Sequence, residues 1–95
     1  MSSLLIRHRV ADVAAWRKVF AEQEIVRRAN GSQGGRLFHV AADPTEVLVL
    51  LEWDDLERAR LFVDSDDLQE AMNRSGLTGE PEIWFLEDED GPIAG

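Results

Sequence analysis

The chain has no cysteine. That excludes disulfides, thiolate nucleophiles and thiolate metal sites. Cations are few: 10 Lys and Arg stand against 19 Asp and Glu, a formal net charge of -9. A phosphate-binding surface needs clustered Lys and Arg, so nucleic acid and anionic membrane surfaces are excluded as partners. No apolar run approaches the roughly 20 residues that span a bilayer. The start, Met1-Ser2-Ser3-Leu4, lacks the charged and apolar segments of a signal peptide, so a cytoplasmic location is expected. Histidine occurs only as His8 and His39, and no third ligand stands at a recognisable spacing, so no metal is expected. The glycines at 31, 34 and 35 are too loosely spaced for a phosphate-binding fingerprint.

What is present suffices for one core: 95 residues, 44% of them hydrophobic, make one domain. The most informative stretch is Val47-Leu48-Val49-Leu50-Leu51-Glu52-Trp53. A half-buried strand alternates apolar and polar residues. This one is apolar on both faces, so both faces of its sheet are expected to be covered. The helices of so short a chain cover one face. A second copy is the simplest cover for the other, and a homodimer through the sheet face is expected.

Leu4–Val10 reads as a first strand. Asp12 caps a helix from about Val13 to Ala29, with Val13, Trp16, Val19, Phe20 and Val26 inward and Arg27 and Arg28 on the outer face. Asn30–Gly35 is a loop, Arg36–Ala41 a second strand, Asp43-Pro44-Thr45 a tight turn and Glu46–Trp53 a third strand. Asp54 caps the next helix, with Glu57 in a capping-box position and Leu56, Ala59, Phe62 and Val63 inward. Ser65 starts a short helix with Leu68, Ala71 and Met72 inward. Gly76–Pro81 is a loop and Glu82–Glu87 a fourth strand. Residues 88–95 form an acidic tail.

This order predicts an α+β fold over residues 4–87, a ferredoxin-like βαββαβ sandwich. Its four-stranded antiparallel sheet has spatial order 4-1-3-2, with helices on one face. A period of two divides the central strands. Leu4, Ile6, His8 and Val10, with Val47, Val49, Leu51 and Trp53, are assigned to the helix side. Leu5, Arg7, Arg9, Leu48, Leu50 and Glu52 face away, where Arg7 and Glu52 could pair at a dimer seam. Trp84 suits either face.

Arg7-His8-Arg9-Val10, then Asp12 and Trp16, the hairpin, Leu51-Glu52-Trp53-Asp54-Asp55, Ser65-Asp66 and a closing aromatic strand resemble the dimeric α/β-barrel superfamily. More narrowly, they resemble its antibiotic biosynthesis monooxygenase-like domains. The resemblance implies two subunits packed sheet to sheet, each with a pocket between helices and sheet. It also implies cofactor-free oxidation of phenols, polyketide cyclisation, haem breakdown or lactone isomerisation as candidate activities. The tryptophan of the haem-degrading members matches Trp53. Their asparagine falls on His8 and their histidine ligand near Met72 and Asn73, so the haem ligand is missing. The tyrosine that oxygenase members add to the pocket has no counterpart, since the chain has no tyrosine.

His8 is the candidate catalytic base, a titratable group expected in an apolar cavity. Trp53, Trp16, Phe20, Phe62, Met72 and Asn73 are the candidate substrate-binding residues, Trp53 as a stacking wall. Gln23 is a further polar candidate. The expected partner is a small hydrophobic or aromatic substrate, and no cofactor is expected. The working function is a cofactor-independent monooxygenase of secondary or aromatic metabolism, acting on a phenolic or polyketide-like substrate. The alternatives are a cyclase or isomerase on the same scaffold, and a non-catalytic ligand-binding dimer.

Overall fold

Two strands with an apolar residue at every second position organise the molecule. In the computed structural model, which describes residues 2–89, β1 (Ser2–Val10) and β3 (Asp43–Trp53) pair antiparallel at the centre of a four-stranded sheet. β2 (Ser32–Val40) and β4 (Leu77–Glu87) are its edges, in the order β2-β3-β1-β4. That is the expected ferredoxin-like order. Register sets Leu4 opposite Leu51, Ile6 opposite Val49 and His8 opposite Val47. All six are buried, together with Val10 and Trp53, beneath α1 (Val13–Glu22), α2 (Glu24–Ala29), α3 (Leu56–Val63) and α4 (Asp66–Arg74). The face assignment from alternation therefore stands. No helix among the described residues is long and apolar enough to cross a membrane.

Several boundaries differ from the sequence expectation, each for a local reason. The single helix expected over Val13–Ala29 is broken at Gln23, whose N–H donates to both Val19 O and Phe20 O. No glycine or proline marks the break. The cap of α3 is Asp55, not Asp54. Its carboxylate accepts from the N–H groups of Glu57 at 2.7 Å and Arg58 at 3.4 Å. Asp54 is held back by its own N–H, which donates to Gly31 O, so the chain turns one residue later and Glu57 cannot close a capping box. Asp54 instead pairs with Arg58.

The hairpin turns at Ala41-Ala42, and Asp43-Pro44-Thr45 belongs to β3. The Asp43 carboxylate still accepts from the Thr45 N–H and hydroxyl, so the turn chemistry read from the sequence acts at the strand's start. β2 begins at Ser32, four residues early. Gln33 and Gly34 bulge there, between the Ser32–Trp53 and Gly35–Leu51 pairs. β4 likewise absorbs most of the expected Gly76–Pro81 loop. Its register jumps from Glu82 opposite Arg7 to Thr78 opposite Arg9, leaving His8 with no partner in β4. A bulge here loosens the sheet beside its one central histidine. The expected tail, 88–95, lies mostly outside the described residues.

The face away from the helices carries Leu5, Leu48 and Leu50, half-buried. Phe38, Trp84 and Leu86 are 42%, 40% and 39% exposed. Register sets Trp84 beside Leu5, which decides its side. Arg7 does not pair with Glu52. It lies opposite Leu48, while Glu52 lies four positions away opposite Ser3. Arg7 pairs with Glu46 at 2.6 Å, and Arg9 reaches Glu46 at 3.5 Å.

Candidate functional site

A cavity of about 60 Å³ lies between the central strands and the helices. Ile6, Val49 and Leu51 form its floor, Trp16 and Phe20 one wall, and Phe62 another. Each side chain arrives by the periodicity of its own element: two on the strands, three and four on the helices. Trp16 and Phe20 are one turn apart on α1 and stack with ring centroids 5.3 Å apart. Leu68, Ala71 and Met72 of α4 close the far side.

His8 lines this cavity and is 8% exposed. Its ring meets Trp16 edge-on at 5.2 Å between centroids. Neither ring nitrogen has a hydrogen-bond partner among the described residues. Buried polar atoms are nearly always satisfied, so an imidazole with both nitrogens free marks either an unmet partner or a working group. Burial lowers its pKa from 6.5 to about 4, because the charged form loses its hydration. The imidazole is neutral at physiological pH, with a lone pair available on one nitrogen.

The remaining polar groups are Gln23, Ser75 and Arg27. The Ser75 hydroxyl donates to Met72 O at 2.8 Å. Arg27 is 9% exposed, which corrects its assignment to the outer face. On a helix of 3.6 residues per turn it falls within about 20° of both Trp16 and Phe20, on their inward side. Arg27 continues the stripe of Trp16, Phe20 and Gln23 past the break and lines the cavity. Its Nη1 donates to Phe20 O at 2.6 Å, and the guanidinium carbon lies 3.8 Å from the centre of the Phe20 ring. Burial lowers its pKa as well, with the Glu24 carboxylate acting in the opposite direction. The signal that could find this residue is its helical spacing from Trp16 and Phe20, which its charge overrides in the outer-face assignment.

Of the expected site residues, His8, Trp16, Phe20, Phe62 and Met72 come together around the cavity, with Gln23. Trp53 and Asn73 do not. Trp53 is fully buried in the core. Its Nε1 donates to Asn30 O at 2.9 Å, and its ring lies 5.0 Å from Phe62. Asn73 is exposed and faces an outer groove beside β4. His39 is exposed on β2. Among the described residues, no group of three or more His, Asp or Glu is placed to hold a metal ion.

No protein-family model matches the sequence, and no curated protein sequence matches it. Solved structures do match the fold along nearly the whole chain. SnoaB, a cofactor-independent oxygenase from Streptomyces nogalater, is 15% identical with a TM-score of 0.77, covering 95% of this chain and 94% of its own. A candidate antibiotic biosynthesis monooxygenase of Bordetella bronchiseptica is 17% identical with a TM-score of 0.78, over 93% and 96% of the two chains. A counterpart from Deinococcus radiodurans is 16% identical with a TM-score of 0.74, over the full length of both. At these identities the likeness is one of fold, and the fold is that of antibiotic biosynthesis monooxygenase-type structures.

Proposed function

We propose that the protein is a cofactor-independent monooxygenase of small-molecule metabolism that acts on a phenolic or polyketide-like ring, with His8 as its base. The observation that carries this reading is a buried imidazole with both nitrogens unpartnered in an otherwise largely apolar cavity. The fold it shares with an oxygenase that needs no cofactor adds support by analogy alone.

In this reading neutral His8 takes a proton from an activated ring C–H₂. The carbanion, conjugated with the phenol, gives one electron to dioxygen. The resulting radical pair combines into a hydroperoxide. Loss of water, with the proton returned from the imidazolium, leaves a quinone carbonyl. One oxygen atom enters the product and the other leaves as water. A pKa near 4 makes free His8 a weak base. An organic anion formed beside the imidazolium would raise that pKa in the complex, because opposite charges attract strongly where water is excluded.

Chain association through the open sheet face belongs to the same reading. Phe38, Trp84 and Leu86 are large, apolar and left partly exposed by the described residues. A cyclase would use the same base to form an enolate that closes a ring without dioxygen. A ligand-binding dimer without catalysis is favoured by one observation, the low pKa of His8.

The test is oxygen consumption with a hydroxyanthrone as substrate, in wild type and His8→Ala. Uptake that falls by about 10²-fold or more in the variant is expected of a lost general base. Equal uptake in both would remove His8 from the mechanism. Substrate turnover without oxygen uptake would assign a cyclase instead.

A further inference from the structure

Two recesses meet at Arg27. One is the inner cavity that holds His8. The other is an open cleft of about 600 Å³ beside α2 and the start of β2, lined by Glu24, Arg28, Gly34 and Arg36 among others. Phe20, Arg27 and Leu51 line both spaces. The Phe20 ring and the guanidinium stacked on it therefore form the partition between cleft and cavity.

The charge of the cleft runs against that of the chain. The protein carries a net charge of -9, yet three arginines and one carboxylate line this recess. A concave surface of one sign concentrates ligands of the other. Glu24, the one carboxylate, pairs with Arg28 at 3.5 Å rather than with Arg27.

Arg27 itself is incompletely used. A guanidinium offers five N–H donors. One bonds Phe20 O at the end of α1, a carbonyl that also accepts from the Gln23 N–H. No carboxylate among the described residues lies within ion-pair distance of it. Glu24 acts on its charge only from beyond ion-pair distance, and a buried cation with no paired anion is costly unless a ligand supplies one.

We infer that the substrate is an aromatic or polyketide-like acid, whose carboxylate or comparable anion takes the unused donors of Arg27 while its ring displaces the Phe20 partition and reaches His8. This rests on the reading of the His8 cavity as a small-molecule site, and adds the substrate's charge and its route. The inner cavity alone holds only a few waters. Joined to the cleft, it falls in the range of roughly 300–1,000 Å³ usual for small-molecule sites. Arginine suits the task because its planar fork matches a carboxylate in two parallel hydrogen bonds.

The experiment is calorimetric titration at neutral pH with 1-hydroxy-2-naphthoate and 1-naphthol, which share a ring system and differ in the carboxylate. Wild type should bind the acid about tenfold or more tightly than the neutral phenol at low salt, with a smaller margin at high salt. R27M should reduce that preference to about threefold or less. A purely structural Arg27 would lower thermal stability in R27M and leave the ratio of affinities unmoved, which would overturn the inference. Arg28→Gln, at an exposed position, covers the case in which R27M does not fold. It should weaken the acid alone, by about two- to threefold, and unchanged acid affinity there would count against the proposal. Equal wild-type affinities for the two probes would end the inference while leaving the small-molecule site standing. If neither probe binds, both readings fall.

Discussion

The indole Nε1 of Trp53 donates to the carbonyl of Asn30 at 2.9 Å, joining the end of β3 to the end of α2. Two further bonds act at the same place. Asp54 N–H donates to Gly31 O at 3.1 Å, and Arg58 Nη2 donates to Ala29 O at 3.2 Å. The last carbonyls of a helix need such partners. Gly31 makes the junction possible. Its φ is +112°, and a side chain there would collide with the Asp54 carboxylate and the Trp53 indole. Together they fix the far end of the short helix that carries Arg27.

Trp53→Phe should therefore affect stability and not ligand choice. Losing one buried hydrogen bond and stranding the Asn30 carbonyl costs about 1–3 kcal/mol. For a domain of this size each kcal/mol lowers Tm by roughly 4–8 °C. Thermal unfolding measures the loss, and titration with 1-naphthol should give an affinity within about twofold of wild type. A large loss of naphthol affinity with little change in Tm would return Trp53 to the ligand's surface.

The stability of the protein should fall in mild acid because of His8. Its folded-state pKa of about 4 lies below the 6.5 of an ordinary histidine. As pH drops from 6.5 to about 4 the unfolded chain takes up this proton before the folded one does, so unfolding is favoured increasingly across that window and levels off below it. The full effect is at most about 3 kcal/mol. His8→Leu removes the group, so the variant should gain on wild type by that order as urea titrations move from neutral pH to the foot of the window. The Asp43 carboxyl, held low by its hydrogen bonds from Thr45, is common to both proteins and cancels in the comparison. Parallel profiles for the two proteins would show that His8 is hydrated in solution.

A dimer through the open sheet face should form at micromolar concentration. Leu50 lies on that face beside Arg36 of β2 and Leu5 of β1. Leu50→Lys puts a charge into a surface otherwise buried between copies and should shift sedimentation equilibrium from two chains to one, without unfolding the subunit. A wild-type monomer under the same conditions would remove the dimer and leave the apolar face without its expected cover.

The order of elements determined the sheet and its strand order, and alternation within β1 and β3 the side on which His8 lies. A period of two leaves only two choices of face, and the apolar residues select one. The spacing of Trp16, Phe20 and Phe62 likewise determined their inward direction, because helical periodicity is local. What only the tertiary structure decided depends on contacts between distant segments. The break at Gln23 carries no local signal. The spacing of Arg27 from Phe20 already favours the inward side, but only packing decides that a charged residue takes its place in the cavity wall. The cap of α3 moved from Asp54 to Asp55 because Gly31, more than twenty residues earlier, holds Asp54 in place. Trp53 lies on the expected face, but Asn30 engages its indole and keeps it out of the cavity. Periodicity fixes which side of an element a residue takes, whereas hydrogen bonds between elements decide whether that residue reaches a site or supports it.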